Sequence, residues 1–191
     1  MHGVLKNAID HASQPYGKNA WQGKPAEHSA EFGLGQEPEK TAMTLLASRF
    51  LALLFAALAL APALAHLLEL PNKMGLSRAE YETAQKLYKG WALLGVLVVA
   101  ALITTAFLAV LVRSQPNQLG WVIAALVCIA GTQLVFWVWT FPVNQQTSNW
   151  TVLPESWMAL RARWEYSHAA SAVLNLVALV ALICSVLVRE R

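Results

Sequence analysis

Four long apolar runs dominate the pattern of hydrophobic and polar positions along the chain. Three of them, 90–112, 119–143 and 169–188, contain no charged residue. Each is close to or longer than the roughly 20 residues that cross a bilayer as a helix. The first run, 43–65, is interrupted only by Arg49. The pattern predicts an all-α fold, a four-transmembrane-helix bundle with spans near 43–67, 88–112, 119–141 and 165–188.

Composition supports the same class of protein. The chain is 57% hydrophobic and 13% charged, with a mean hydropathy of +0.44, whereas soluble domains carry about 25% charged residues. We therefore expect a multi-pass protein of the cell (inner) membrane, in contact with the lipid bilayer. The net charge is only +3 and no basic stripe is present, which argues against nucleic-acid binding. Cys128 and Cys184 fall in apolar spans without metal-ligand spacing, so we interpret them as buried small residues.

The first 42 residues differ from the rest. They are polar and without hydrophobic periodicity, which predicts a flexible N-terminal tail ahead of one membrane domain at 43–191. Because Met43 directly precedes the first apolar run, the tail is either a start-site artefact or a genuine extension. The segment 43–65 also resembles a signal peptide that ends in Ala63-Leu-Ala65, and cleavage there would make His66 the N-terminus.

Two pairs of ionisable residues lie at membrane edges. His66 and Glu69 close the first apolar run, and Glu165 and His168 open the last one. A separation of three residues puts the members of each pair on one helix face. With four crossings, both pairs lie at the same membrane face, where ionisable side chains are costly and usually functional. The alternative is that they are hydrated and inert in the headgroup layer.

Polar stripes extend this pattern along two helices. Steps of 4, 3, 4 and 3 residues connect one stripe on the fourth span: Arg161, Glu165, His168, Ala172 and Asn175. Steps of 4, 3 and 4 connect another on the third span: Gln133, Trp137, Thr140 and Asn144. Polar stripes in a membrane bundle face inward, so the two stripes predict a polar pocket open to one membrane face.

The connection between the first two spans carries local signals. Leu70-Pro-Asn-Lys73 predicts a helix stop, since proline disrupts helix interiors. Ser77 and Glu80 have the spacing of a capping box. It opens an amphipathic helix predicted to run into the second span, with one face formed by Tyr81, Gln85 and Tyr88.

Three chemistries fit the paired residues. A histidine beside a carboxylate is a candidate base, with a nearby arginine to stabilise an enolate or phenolate. Glu-x-x-His pairs occur in di-iron bundles, but the second and third spans supply no further carboxylate, so no metal site is predicted. Two histidines at equal depth could also be the axial ligands of one haem.

Five stretches resemble the anthrone-oxygenase-like family of small four-helix membrane proteins, over about residues 43–188. They are Ala65 to Lys73, Tyr88-Lys-Gly-Trp91, Thr140-Phe-Pro-Val-Asn144, Asn149-Trp-Thr151 and Leu160 to His168. The Arg-x-Arg-Trp-Glu-x-x-His stretch is the most specific. The resemblance implies a cofactor-independent oxidation by O2, as in the fungal members that oxidise polyketide anthrones. This chain looks closer to the uncharacterised bacterial branch, so the substrate itself does not carry over.

The predicted function is therefore an oxygenase-like enzyme, without a cofactor, for an apolar aromatic or quinone-like compound. Its catalytic candidates are His168 as base, Glu165 or Glu69 as the group that orients it, Arg161 as oxyanion partner, and His66. Its substrate-binding candidates are Gln133, Trp137, Asn144, Tyr88 and Trp164. One alternative is a non-catalytic subunit with membrane-protein partners, and another is a haem- or metal-binding protein.

Overall fold

A computed structural model describes residues 36–188 of the chain. From Thr44 onward the described residues belong to one compact unit, which contains the bundle described below. Residues 1–35 of the predicted flexible tail lie outside the described residues. Residues 36–42 of that segment are helical.

The described residues are almost entirely helical. Six α-helices follow in chain order: α1 Gln36–Met74, α2 Arg78–Gln85, α3 Gly95–Leu111, α4 Pro116–Val135, α5 Phe141–Gln146 and α6 Trp157–Leu187. Four continuous helical stretches are long and apolar enough to cross a membrane: Glu39–Met74, Trp91–Leu111, Pro116–Gln146 and Trp157–Leu187. No strand occurs between residues 36 and 188. The predicted all-α class and four-helix architecture are confirmed.

The first helix continues past the predicted stop. α1 contains Pro71 and ends only at Met74, so the expected break at 70–73 is wrong. A proline so close to the helix end removes one backbone hydrogen bond from the last turn, where helices already lose partners. Arg161 also donates to the carbonyls of Lys73 and Leu76, at 3.3 and 2.8 Å, which satisfies two of the groups at this end.

The segment after α1 begins as predicted and then departs from the prediction. The capping box is present, since Glu80 accepts from the backbone N–H of Ser77 at 2.8 Å and from its hydroxyl at 2.6 Å. The helix does not run into the second span. Gly90 has φ +92°, a left-handed conformation that ends a helix and favours glycine. Short 3₁₀ turns lie on either side of it, Lys86–Tyr88 and Trp91–Leu94.

The third span contains a wider turn. Phe136–Thr140 is a π-helical segment between α4 and α5, and such turns shift the register of every residue that follows. Side chains four residues apart across the segment therefore do not share one face. The stripe predicted from α-helical spacing is broken at Trp137, which is 59% exposed. Thr140 is buried and hydrogen-bonds to Ser167 of α6 at 2.8 Å.

Two cores of different character fill the bundle. The larger is rich in alanine, which lets membrane helices approach closely; it includes Ala52, Ala56, Ala101, Ala125, Ala178 and Ala181. The other is aromatic and lies where α2, α5 and the start of α6 meet; it comprises Tyr81, Val143, Trp150, Leu160 and Trp164. The two predicted His–Glu pairs lie beside this aromatic core.

Candidate functional site

Lys73 is the centre of the polar cluster. Its Nζ atom lies 2.9 Å from Oε2 of Glu165, 3.4 Å from Oε2 of Glu69 and 3.0 Å from Nδ1 of His66. The contact with His66 is a hydrogen bond, in which the ammonium can only donate, and the contacts with the two carboxylates are ion pairs. The sequence predictions gave Lys73 no part in the site. Its position seven residues after His66 and four after Glu69, on one helix face, is the signal that could have found it.

Glu165 is completely buried, with 0% of its surface exposed. Besides Lys73, it accepts a hydrogen bond from the Tyr81 hydroxyl at 3.0 Å on Oε1. A buried carboxylate is tolerated when it is paired and hydrogen-bonded. Here Oε1 accepts the hydrogen bond from Tyr81, whereas Oε2 has Lys73 as its ion-pair partner and no hydrogen bond of good geometry among the described residues. Burial, followed by the neighbouring Glu165 carboxylate, raises the pKa of Tyr81 well above its ordinary value. Tyr81 therefore acts as a permanent donor that holds Glu165 in place.

Glu69 connects the cluster to solvent, because 45% of its side chain is exposed. It accepts a hydrogen bond from the Tyr88 hydroxyl. Burial is the main cause of a raised pKa at Tyr88, and the hydrogen bond to Glu69 adds to it. The two predicted His–Glu pairs therefore meet, since Lys73 bridges Glu69 of the first to Glu165 of the second.

The imidazoles of the two pairs also meet. The rings of His66 and His168 stack with centroids 4.3 Å apart and planes tilted by 25°. Because the Lys73 ammonium can only donate, Nδ1 of His66 must accept, which leaves the ring proton on Nε2. Nε2 of His168 is buried and has no hydrogen-bond partner among the described residues. The stack thus combines one N–H donor with one unpaired nitrogen.

Aromatic rings enclose this stack. The His66 ring lies 4.6 Å from Tyr88, 5.6 Å from Trp91 and 5.0 Å from Trp164, measured between centroids. Trp164 also contacts His168 at 4.2 Å. These rings form an apolar wall around the two imidazoles.

The remaining predicted residues divide into two groups. Asn144 accepts a hydrogen bond from Nε1 of Trp164 at 2.8 Å, so it orients the aromatic wall. Trp137 lies on the outer surface and contacts Phe136 and Phe141. Gln133 is half-buried on α4, and its side chain makes no hydrogen bond with a residue in the described range. The structure does not bring these last two into the cluster.

Arg161 is buried one turn before Glu165 on α6. Its donors reach the end of α1, as described above, and its guanidinium lies over the rings of Tyr81 and Trp157, at 5.4 and 4.7 Å. These contacts hold α1, α2 and α6 together. Arg161 thus contacts backbone carbonyls and aromatic rings, whereas Lys73 contacts carboxylates and an imidazole.

The donor set does not fit the two cofactor alternatives. In the described part of the chain, no group of three His, Cys, Asp or Glu side chains is arranged to hold a metal ion. Haem with two axial histidines requires the porphyrin between the two imidazoles. The face-to-face stack of His66 and His168 leaves no such space.

Comparisons of the chain with models of protein families, with curated proteins and with solved structures found no match. The resemblance to the anthrone-oxygenase-like family stays a prediction that rests on the sequence stretches quoted above.

Proposed function

We propose that the cluster is an acid–base site that oxidises an apolar aromatic or quinone-like carbon acid with O2, without a cofactor. The observation that carries the proposal is the buried, unpaired Nε2 of His168 among aromatic rings. A nitrogen in that position is available as a general base for a substrate C–H, and its apolar surroundings suit a planar substrate.

His66 supplies the complementary group. Its Nε2–H is polarised by the Lys73 ammonium bound to Nδ1 of the same ring. An N–H donor backed by a positive charge stabilises the enolate oxygen that forms when the substrate loses its proton. The proposal therefore moves the oxyanion role from Arg161 to His66 and Lys73, because the nearest partners of Arg161 are backbone carbonyls.

The overall reaction balances without an added reductant. A ring methylene and O2 give a ring ketone and water, with the substrate carbon supplying all four electrons. The first step transfers a proton from carbon to His168, and the electron-rich enolate then reacts with O2. We propose that the protein lies in the cell (inner) membrane, and that an apolar substrate reaches the site through the bilayer.

Oxygen uptake by detergent-purified protein tests the proposal. With an anthrone-type ketone as substrate, one O2 should disappear per ketone formed. Loss of a general base costs about 10²- to 10⁴-fold in rate, so His168→Gln should lose at least about 100-fold while its circular dichroism spectrum is unchanged. Tyr166→Phe is the matched control, because Tyr166 lies on the same helix and is 59% exposed.

Two results would contradict the proposal. Folded wild-type protein without oxygen uptake on any aromatic carbon acid would favour the non-catalytic subunit, whose variants should lose assembly instead. A haem absorption band or stoichiometric metal, lost in both His66→Ala and His168→Ala, would contradict the cofactor-free mechanism.

A further inference from the structure

The segment that connects α2 to the second span has one side that faces the protein. It comprises residues 86–94 and consists mainly of the two 3₁₀ turns. The rings of Tyr88 and Trp91 lie 4.6 and 5.6 Å from that of His66, measured between centroids. The Tyr88 hydroxyl also donates to Glu69. This side of the connecting segment is therefore fixed to the end of α1.

The other side of the connecting segment is apolar and exposed. Leu87 and Leu93 are 75% and 79% exposed, the highest values among the large apolar side chains of the described range. Val96 and Ile103 continue this exposed surface along α3, in a span that is long and apolar enough to cross a membrane. The span begins four residues after Leu87, which places that side chain at the membrane boundary. Exposed apolar patches of this kind mark sites of interaction with a membrane or a protein.

Two lysines accompany the exposed leucines. Lys86 and Lys89 are exposed, and neither ammonium has a partner among the described residues. They are three residues apart around a 3₁₀ turn, which the Lys89 N–H closes by donating to the Lys86 carbonyl at 3.3 Å. Residues with this spacing lie on the same side of a 3₁₀ helix, so the two positive charges stand together. Glu82, one turn before Lys86, is also exposed, but no ion pair joins the two within the described structure.

An anionic bilayer surface has the chemistry that matches this side of the segment. Its acyl edge takes up apolar side chains, and its headgroup phosphates attract lysines that lie close to the surface. Lysine stems lie along apolar surface while their ammonium groups stay at the level of the headgroups. A second copy of the chain fits less well, because a twofold contact brings the same patch of both copies together. Such a contact would place four unpaired lysines against each other.

We infer that the connecting segment docks on the anionic phospholipid surface of the membrane. Leu87 enters the edge of the acyl region, and Lys86 and Lys89 bind headgroup phosphates. The same turns carry the aromatic rings that contact His66, so lipid bound on one side of the segment holds the aromatic wall in place on the other. This inference does not depend on the chemistry proposed for the histidine stack.

Lipid titration of the full-length protein in a nonionic detergent tests the role of the lysines. The midpoint of thermal unfolding is followed against added phosphatidylglycerol or phosphatidylcholine with identical acyl chains, which gives an apparent affinity for each lipid. The wild type should bind phosphatidylglycerol more tightly. A lysine near an anionic surface is worth about fivefold in affinity, so Lys86→Gln/Lys89→Gln should bind phosphatidylglycerol about 30-fold more weakly.

The matched control is Lys86→Arg/Lys89→Arg, which keeps both charges and should keep the preference for phosphatidylglycerol. Without added lipid, both double variants should unfold like the wild type, because neither ammonium has a protein partner in the described range. A difference that appears only with phosphatidylglycerol therefore reports lipid binding and not a loss of folding.

A nitroxide attached at Leu87→Cys tests the insertion of the apolar side, in a protein whose Cys128 and Cys184 are replaced by alanine. In vesicles of phosphatidylglycerol and phosphatidylcholine, the nitroxide should be open to O2, which concentrates in the bilayer, and shielded from a water-soluble nickel complex. Glu82→Cys is the aqueous control, because Glu82 is exposed on α2, and it should show the reverse pattern.

Four results overturn the inference. The first two are equal affinity of the wild type for the two lipids and equal affinity of the wild type and the glutamine variant for phosphatidylglycerol. The third is a nitroxide at Leu87→Cys that is as open to nickel as the one at Glu82→Cys. The fourth is spin–spin broadening at Leu87→Cys, which would show that a second copy covers the segment instead of lipid.

Discussion

Replacing Lys73 with methionine should destabilise the protein more than any other single loss of charge in the cluster. The substitution keeps the length of the side chain but removes the ammonium that lies 2.9 Å from Glu165 and 3.0 Å from His66. Glu165 is 0% exposed, so no water replaces the lost partner. Removing one member of a buried ion pair costs about 3–5 kcal/mol, and we expect a loss of about 3 kcal/mol or more.

The double variant Lys73→Met/Glu165→Gln isolates the cause. Glutamine keeps an oxygen acceptor for the Tyr81 hydroxyl but carries no charge, so the penalty for an unpaired buried carboxylate disappears. We expect the double variant to recover at least about 1 kcal/mol relative to Lys73→Met, because neutral replacement of a buried pair is often tolerated.

Reversible unfolding in mixed detergent micelles measures these differences. Lys86→Met is the control, since Lys86 is an exposed lysine of the 3₁₀ turn after α2, and it should leave stability nearly unchanged. The reasoning is refuted if Lys73→Met unfolds like the control, or if adding Glu165→Gln makes the protein less stable than Lys73→Met alone.

Three further predictions concern the elements around the cluster. Tyr81→Phe removes a buried donor to a carboxylate and should cost about 1.5–3 kcal/mol in the same unfolding assay; a neutral effect would contradict the role assigned to Tyr81. Burial and the bond to Glu69 raise the pKa of Tyr88 above its ordinary value of 10.0, so the unfolded chain releases that proton first. The contribution of Tyr88 to the free energy of unfolding should therefore be fully present below pH 10 and be lost above it. The free energy should fall less steeply with pH in Tyr88→Phe, and equal slopes in the two proteins would contradict the role assigned to Tyr88. Gly90→Ala should lower the free energy of unfolding by about 1–2 kcal/mol, because φ at Gly90 is +92°. Gly95→Ala is the control, since Gly95 is in a helical conformation with open space around it, and it should be neutral or slightly stabilising. Similar shifts of the unfolding midpoint in both variants would refute the strain assigned to Gly90.

Periodicity was sufficient where the helix stayed regular. On α6 the predicted stripe is inward-facing, since Arg161, Glu165, Ala172 and Asn175 are all buried. Steps of three and four residues determine a helix face only if each turn contributes its usual rotation. α6 is one regular α-helix from Trp157 to Leu187. The helix face predicted from its α-helical spacing was therefore accurate.

Elsewhere, local departures from the predicted helices determined which side chains reach the site. The π-helical turn at Phe136–Thr140 moved Trp137 outward, and α1 continued through Pro71 and carried Lys73 into the cluster. Neither departure has a pattern of hydrophobic and polar residues that predicts it. Both depend on tertiary partners, such as the Arg161 side chain that satisfies carbonyls at the end of α1.

The two buried cations of the described residues, Lys73 on α1 and Arg161 on α6, have different partners. Lys73 contacts two carboxylates and an imidazole, so in the proposed mechanism it acts through His66. Arg161 has no counterion among the described residues and donates instead to the backbone carbonyls of Lys73 and Leu76. Glu165 lies between them and is fixed by Tyr81. We therefore expect Glu165, which contacts both Lys73 and Tyr81, to respond directly to any loss of the Lys73 charge.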